Sequence, residues 1–140
     1  MKLHSATVAH ALLIGLAVSQ ASATASAQAS ASVTIPFAFS ADHQSVAAGS
    51  YKVQLLSDRY LSLRNTETNK TQVVMVRPES ARGIETRGHL VFYRQGTRRY
   101  LTQAWFAGSS LHSEMAVQPK PQRELKTRQV TPSTIELAMK

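Results

Sequence analysis

The chain has 140 residues, no cysteine and a formal net charge of +8, with a sequence pI of about 10.3. This length supports one domain with one modest hydrophobic core. The lack of cysteine excludes a disulfide scaffold and zinc sites built on thiolates. The basic balance favours anionic partners in general without identifying one.

The first 27 residues have the three-part pattern of a secretory signal peptide. Lys2 and His4 form a weak basic start, residues 11–18 are an uncharged apolar run, and Ala25-Ser26-Ala27 is a small-residue cleavage signal, overlapped by a second one at 27–29. The apolar run is much shorter than the roughly 20 residues of a membrane span. An uncleaved anchor and a buried helix are the alternatives. We predict export to the periplasm, the cell surface or the medium.

Cleavage after Ala27 would remove 27 of the 140 residues and leave 113, and the loss of Lys2 would lower the net charge from +8 to +7. The next residues, 28–32, are small and polar, and we expect a flexible mature N-terminus there. Apolar residues then alternate with others over 33–39, which predicts a half-buried strand. Pro36 lies on the other face of that strand and cannot donate to a ladder, so an edge position is expected.

Three further strands are predicted in the first half of the mature chain. A polar loop over 40–48 leads to a strand over 50–56, which alternates in the same way. A short turn then leads to a strand over 60–64. Residues 71–76 are apolar on both faces, which predicts a central strand. The stretch 77–88, rich in Arg, Gly and Pro, is predicted to be the longest internal loop.

The region 89–108 holds five of the nine aromatic residues and predicts a hairpin. Its strands are expected at Leu90–Tyr93 and Tyr100–Phe106, with a turn at Gln95-Gly96. Trp105 and Phe106 are adjacent, so they point to opposite faces of the strand and one of them belongs to the core. We expect the C-terminal segment to cover the other, and an exposed binding surface is the alternative.

These elements predict an all-β fold, a small antiparallel barrel or sandwich of about six strands. The β-domain is expected to span 33–118. The remaining residues, 119–140, are expected to form a C-terminal helix or tail. A short helix fits 121–129, with Pro at its first turn. Residues 134–139 are expected either to add a last strand or to remain loose.

Several short motifs resemble a family of small exported bacterial proteins of the acidobacterial type, whose function is not established. The resemblance covers about residues 33–126. It rests on Ile-Pro-Phe-x-Phe at 35–39, Ala-Gly-x-Tyr-x-Val at 48–53, Phe-x-Arg-x-Gly at 92–96, Tyr-Leu to Trp at 100–105 and Arg-Glu-Leu at 123–125. Val46-Ala47 and Gln95 depart from the family pattern. The resemblance implies export and a β-domain, and it implies no active site.

Catalytic and metal-binding patterns are weak in this sequence. Three histidines, His43, His89 and His112, follow the signal segment, and none has the ligand spacing of a metal site. A metal site or a hydrolase would require them to converge with a carboxylate such as Asp42. There is no Gly-x-Ser-x-Gly motif and no glycine-rich phosphate loop. We therefore predict a protein that is not an enzyme and has no cofactor or bound metal.

A surplus of arginine between positions 77 and 99 is the strongest candidate for a binding function. We expect the loop and the hairpin turn to lie at one end of the barrel and to form a basic patch. Tyrosines nearby could stack on sugars or bases. The candidate ligand-binding residues are Arg82, Arg87, Arg94, Arg98, Arg99, Tyr93 and Tyr100. The alternative is that the arginines are solubilising charges, some of them paired with Glu79 and Glu85.

The sequence therefore favours a non-enzymatic periplasmic or cell-surface domain that binds or structures envelope material. The first alternative is a module that binds polyanions or carbohydrates through the arginine-rich loop and hairpin. The second is a small hydrolase with an unrecognised site. The expected partners are an envelope polyanion, glycan or protein, with no specific nucleic-acid target and no membrane span after cleavage. The sequence leaves the oligomeric state open.

Overall fold

The computed structural model describes residues 28–118 and 133–140, and these residues form ten β-strands and no helix. The predicted all-β class is confirmed. The strands are β1 (Ser30–Ile35), β2 (Phe39–Ala41), β3 (Gln44–Val46), β4 (Gly49–Ser57), β5 (Tyr60–Asn65), β6 (Thr71–Ser80), β7 (His89–Gln95), β8 (Arg98–Trp105), β9 (Leu111–Met115) and β10 (Ser133–Ala138).

The strands follow the order β1-β4-β5-β6-β9-β8, and β8 continues through β7 to β10. All these pairings are antiparallel. The long strand β6 joins the two halves, because residues up to Met75 pair with β5 and residues from Val76 pair with β9. It lies in the middle of the strand order as predicted, but the expected burial on both faces is not observed, because Val73 and Met75 are 46% and 49% exposed beside buried Val74 and Val76.

Strand β8 has three neighbours, which makes it the structural centre of the second half. One of its edges pairs with β7, the other with β9 near Trp105 and with β2 near Tyr100. The β2 contact is parallel, so the sheet is mixed rather than purely antiparallel as predicted. A bulge between Val91 and Phe92 shifts the β7–β8 register by one residue, and such bulges bend and twist the strand locally.

The two ends of the strand order approach each other. Ser32 of β1 donates to the carbonyl of Lys140 at 2.7 Å and accepts from its N–H at 2.8 Å. Lys140 follows β10 directly. No continuous ladder joins β1 and β10 within the described residues, so the sheet curls toward a barrel without closing.

The core lies inside this curled sheet, and alternate residues of most strands contribute to it. Its largest fully buried side chains include Phe92, Ile35, Leu61, Leu63 and Leu90. Two other aromatic rings pack edge-on against Phe92, those of Phe37 and Phe39, at centroid distances of 5.1 and 5.2 Å. Edge-to-face contacts of this kind add to the stabilisation from buried area.

The number of strands was underestimated because four short ones lack a clear apolar alternation. The predicted strand over 33–39 is two strands, β1 and β2, separated at Pro36. The predicted polar loop over 40–48 contains the hairpin β2–β3, whose turn residues Asp42 and His43 have φ of 48° and 63°. These positive values are typical of a two-residue hairpin turn. Strand β9 was missed altogether, and its central Ser113 faces the core opposite Ala104.

The boundaries of the β-domain also differ from the prediction. Strand β1 begins at Ser30, inside the expected flexible stretch 28–32, because its backbone pairs with β4 and needs no large side chain for this. Of the two alternatives for the C-terminus, the strand is observed: β10 pairs with β7. The predicted signal peptide and the predicted helix at 121–129 lie outside the described residues. Within those residues no helix is long and apolar enough to cross a membrane.

Candidate functional site

A groove of about 510 Å³ lies on the outer face of β7, β8 and β10. In β7, residues 89, 91 and 93 alternate with buried Leu90 and Phe92, so they point away from the core and line this groove. Its volume is within the usual range for small-ligand sites. The lining residues are His89, Val91, Tyr93, Thr102, Gln103, Trp105, Gln118, Thr134 and Glu136.

One end of the groove is built on a stack of three rings from three adjacent strands. Trp105 lies between His89 and His112, with ring centroids 5.5 and 4.0 Å apart and planes within 11° and 5° of parallel. The three residues are direct cross-strand partners, which places their side chains side by side on one face. Both faces of the indole are therefore covered, and its edge is the part that can meet a ligand.

A chain of hydrogen bonds holds this stack in place. The indole Nε1 of Trp105 donates to Gln103 Oε1 at 3.0 Å, and Gln103 Nε2 donates to Glu114 Oε1 at 3.3 Å. His112 Nε2 lies 3.4 Å from the same oxygen of Glu114. The Nδ1 atom of His112 is buried without a hydrogen-bond partner among the described residues. The orientation of Gln103 is thus set by its neighbours on either side.

Gln118 forms a wall of the groove beyond β9. Its Nε2 donates to the carbonyls of Met115 at 3.0 Å and Thr102 at 3.3 Å. The hydroxyl of Thr102 is also occupied, because it donates to the carbonyl of Val91 at 3.0 Å. Tyr93, Thr134 and Glu136 make no side-chain hydrogen bond within residues 28–118 and 133–140. Their polar groups can therefore bind a ligand.

A second, smaller cavity of about 340 Å³ shares Gln118 with the groove. It lies beside the β2–β3 turn and is lined by Ser40, Asp42, His43, Arg98, Tyr100, Leu101, Val117 and Gln118. The hydrolase alternative required Asp42 and a histidine to share a concave site, and these two do. However, in the described part of the chain no hydrogen bond joins Ser40, Asp42 and His43.

The predicted basic patch at one end of the barrel is not formed. Arg82 and Arg87 lie in the loop before β7, whereas Arg94, Arg98 and Arg99 lie at the hairpin at its far end. The seven residues of β7 separate them by roughly 20 Å at about 3.3 Å per residue. The alternative of ion pairing with Glu79 and Glu85 is not observed either, since no arginine of the described residues lies within ion-pair distance of a carboxylate.

The remaining predicted residues have different surroundings. Tyr93 lines the groove, whereas its cross-strand partner Tyr100 and Arg98 line the second cavity. Arg99 packs on the ring of Phe37 at the end of the core. The two histidines stack on both faces of Trp105, and the expected cover by residues 119–132 of the C-terminal segment lies outside the described residues. Phe106 is the residue of that pair that belongs to the core.

Most residues of the groove were missed by the sequence reasoning. Gln103, Gln118, Thr134 and Glu136 are ordinary polar residues with no spacing signal, and they meet only through the order β9-β8-β7-β10. The alternation of His89, Val91 and Tyr93 is the one visible sign of a shared face. No group of three or more His, Asp or Glu side chains suited to a metal ion occurs within the described ranges.

The comparisons with known proteins add no relative. No protein-family model, no curated protein and no solved structure matches the chain. The resemblance to small exported bacterial proteins therefore stays a prediction from the sequence motifs.

Proposed function

We propose that this protein is an exported, non-enzymatic domain of the cell envelope that binds a glycan in the groove over β7, β8 and β10. The groove is the observation that carries the proposal. It combines the ring of Tyr93 and the edge of the Trp105 indole with side chains that can donate or accept hydrogen bonds. A sugar presents apolar C–H surfaces beside hydroxyls that both donate and accept, and this lining matches both needs.

The hydrogen bonds within the groove wall support ligand binding over a purely structural role. Trp105, Gln103 and Thr102 are fixed by internal hydrogen bonds, so they present a rigid surface. Tyr93, Thr134 and Glu136 border the same space with polar groups available. A preorganised site loses less side-chain entropy when a ligand binds. A hydroxyl-rich ligand is the class that satisfies a tyrosine, a threonine and a carboxylate together.

Export is supported by the N-terminal sequence pattern, with cleavage after Ala27. An exported domain meets the polysaccharides of the envelope, whether it remains in the periplasm or reaches the surface. The net charge of the cleaved chain, +8 for the whole sequence less Lys2, or +7, would draw the protein toward anionic envelope material and raise the rate of encounter. Such long-range attraction does not depend on a single arginine patch.

The hydrolase alternative is favoured by one observation, the shared cavity of Ser40, Asp42 and His43. A serine nucleophile requires a base within hydrogen-bond reach, and the described residues contain no such bond among these three. A binding protein is therefore the better proposal. Labelling with a fluorophosphonate probe tests this directly: we expect none, and labelling that disappears in Ser40→Ala would establish a hydrolase.

The binding proposal is tested by applying residues 28–140, which contain all ten strands, to an array of envelope glycans at an ionic strength of about 0.15 M, where long-range attraction is largely screened. We expect a subset of glycans to be retained. Tyr93→Ala and Glu136→Gln each remove a ligand contact at an accessible position. We expect each to weaken binding about tenfold, the equivalent of about 1.4 kcal/mol.

The matched control is Tyr60→Ala. Tyr60 is 45% exposed on β5, away from the groove, so its loss removes an aromatic side chain without touching the lining. If Tyr60→Ala weakens glycan binding as much as Tyr93→Ala does, the groove is not the binding site. Retention of no glycan at all would refute the function.

A further inference from the structure

Two arginines face each other where β7 and β8 enter their turn. Arg94 and Arg99 are cross-strand partners, so their side chains leave the sheet on the same face. Arg94 is two residues after buried Phe92 and Arg99 is two residues before buried Leu101, so both lie on the face of the strands that contributes to the core. Like charges placed directly opposite each other destabilise a strand pair unless something compensates them.

Arg99 is held in a fixed position. Its guanidinium carbon lies 4.7 Å from the centroid of the Phe37 ring, which in turn packs edge-on against Phe92. Its Nε atom is buried and has no hydrogen-bond partner within residues 28–118 and 133–140. A buried donor without a partner lowers stability. Buried polar groups without a partner are rare in native proteins, and a bound ion is one of the explanations for them.

The hairpin turn itself supplies no negative charge to this pair. The ten residues from Phe92 to Leu101 include three arginines and no Asp or Glu. Neither Arg94 nor Arg99 forms an ion pair in the described part of the chain. Phe37, which packs on Arg99, and Ser133, the register partner of Arg94 on β10, are both uncharged.

We propose that Arg94 and Arg99 form a binding site for a tetrahedral oxyanion, a phosphate or sulfate group. Two guanidinium forks that approach from neighbouring strands suit a tetrahedral anion, because it presents oxygens in several directions. A carboxylate has two oxygens in one plane and is satisfied by one fork. Arg98 is not part of this site, since it points to the other face and lines the second cavity. The site is separate from the groove and does not depend on glycan binding there.

The test is a calorimetric titration of residues 28–140 with inorganic phosphate at constant ionic strength, against chloride as the reference. We expect saturable binding with one site per chain. Arg94→Gln is the main variant, because Arg94 is exposed and its loss leaves the core intact. We expect the dissociation constant to rise at least tenfold in this variant. Arg64→Gln, which removes an exposed arginine from β5, is the matched control and should bind as the unchanged protein does.

Arg99→Lys keeps the charge and removes the planar fork, so we expect it to bind phosphate at least about tenfold more weakly than the unchanged protein. Thermal unfolding with and without phosphate shows whether each variant is folded. Titration with glucose 1-phosphate separates a free ion from a group carried on a sugar: tighter binding of the ester indicates a carried group, and tighter binding of the ion indicates a free one. Equal affinity in Arg94→Gln and Arg64→Gln, or no saturable binding, would overturn the site.

Discussion

At the scale of single residues, the motif Ala-Gly-x-Tyr-x-Val at 48–53 is explained by a corner at the start of β4. Tyr51 is buried and its hydroxyl donates to the carbonyl of Ala47 at 2.7 Å. Asn65 is buried beside it, and its Oδ1 accepts from the N–H groups of Glu67 and Thr68, both at 2.9 Å. The motif therefore serves packing and chain reversal, not ligand binding.

Gly49 is the sensitive position of this corner. Its φ is +157°, and a Cβ there would lie 2.8 Å from Nδ2 of Asn65. We expect Gly49→Ala to lower the free energy of unfolding by about 1–3 kcal/mol, through backbone strain and displacement of the Asn65 side chain. Urea denaturation measures this. Gly83→Ala is the control, because a Cβ there meets no atom within 4 Å; an equal loss in both variants would contradict the explanation.

Trp105 is the residue on which the groove depends most. Its ring is stacked on both faces, yet it is only half-buried. We expect Trp105→Ala to lower the free energy of unfolding by about 2–3 kcal/mol, somewhat below the loss for a fully buried aromatic. Far-UV circular dichroism in urea measures this, because Trp105 is the only tryptophan of the chain and the variant has no tryptophan fluorescence to follow. We expect Trp105→Phe to lose less than half as much free energy of unfolding as Trp105→Ala does. A loss as large as that of the alanine variant would contradict a stacking role.

At the scale of elements, β10 is the strand whose contribution is easiest to test. It covers the outer edge of β7, its Ile135 and Leu137 pack against the core, and Met139 just beyond it is buried. We expect deletion of 133–140 to lower the free energy of unfolding by at least about 3 kcal/mol, the contribution of two fully buried apolar side chains.

Hydrogen exchange of the deletion variant shows which strands lose stability when β10 is absent. The β7 amides that pair with β10 should exchange faster, while the β4–β5 amides should change less. Uniformly unchanged exchange would show that β10 contributes nothing to the fold.

Sequence patterns predicted the long strands and missed the short ones for a physical reason. Strands β4, β6 and β7 each have buried residues two positions apart, such as Tyr51 and Val53 in β4, so their alternation is visible. In β9 the inward positions hold Ser113 and Met115, and the outward His112 is buried by stacking on Trp105. Alternation therefore disappears, although the backbone still pairs with two neighbours. The β7–β8 bulge is equally invisible, because it depends on the pairing of two distant strands.

The candidate site was less predictable than the fold. Tyr93 was named as a candidate binding residue and lines the groove, but the arginines were grouped by their closeness in sequence. The seven residues of β7 lie between the arginines of the loop and those of the hairpin turn. An extended strand rises by about 3.3 Å per residue, so the two groups are far apart in space. Groove residues such as Gln118 and Glu136 are far apart in the sequence, with residues 119–135 between them. Only the strand order brings them together.

At the scale of the whole molecule, the proposal requires export. We expect the protein purified from the envelope fraction or the medium of its producing cell to begin at Gln28 and not at Ser30, the first residue after the overlapping signal at 27–29. Gln28 is part of the folded domain, since its Oε1 accepts from Nε2 of Gln54 at 2.6 Å. N-terminal sequencing or intact mass measures this. A chain that retains Met1 and stays in the cytoplasm would contradict export.

The central claim is that the groove is occupied by a glycan, and Trp105 offers the most direct measurement. It is the only tryptophan of the chain and it lines the groove, so intrinsic fluorescence reports on this site alone. Residues 28–140 are titrated with the glycan that binds most tightly on the array, followed by emission and by calorimetry in parallel. We expect the emission to change along the same saturation curve as the heat, with both curves shifted about tenfold in Tyr93→Ala. Saturable heat with unchanged tryptophan emission, and no effect of Tyr93→Ala, would show that the ligand binds elsewhere.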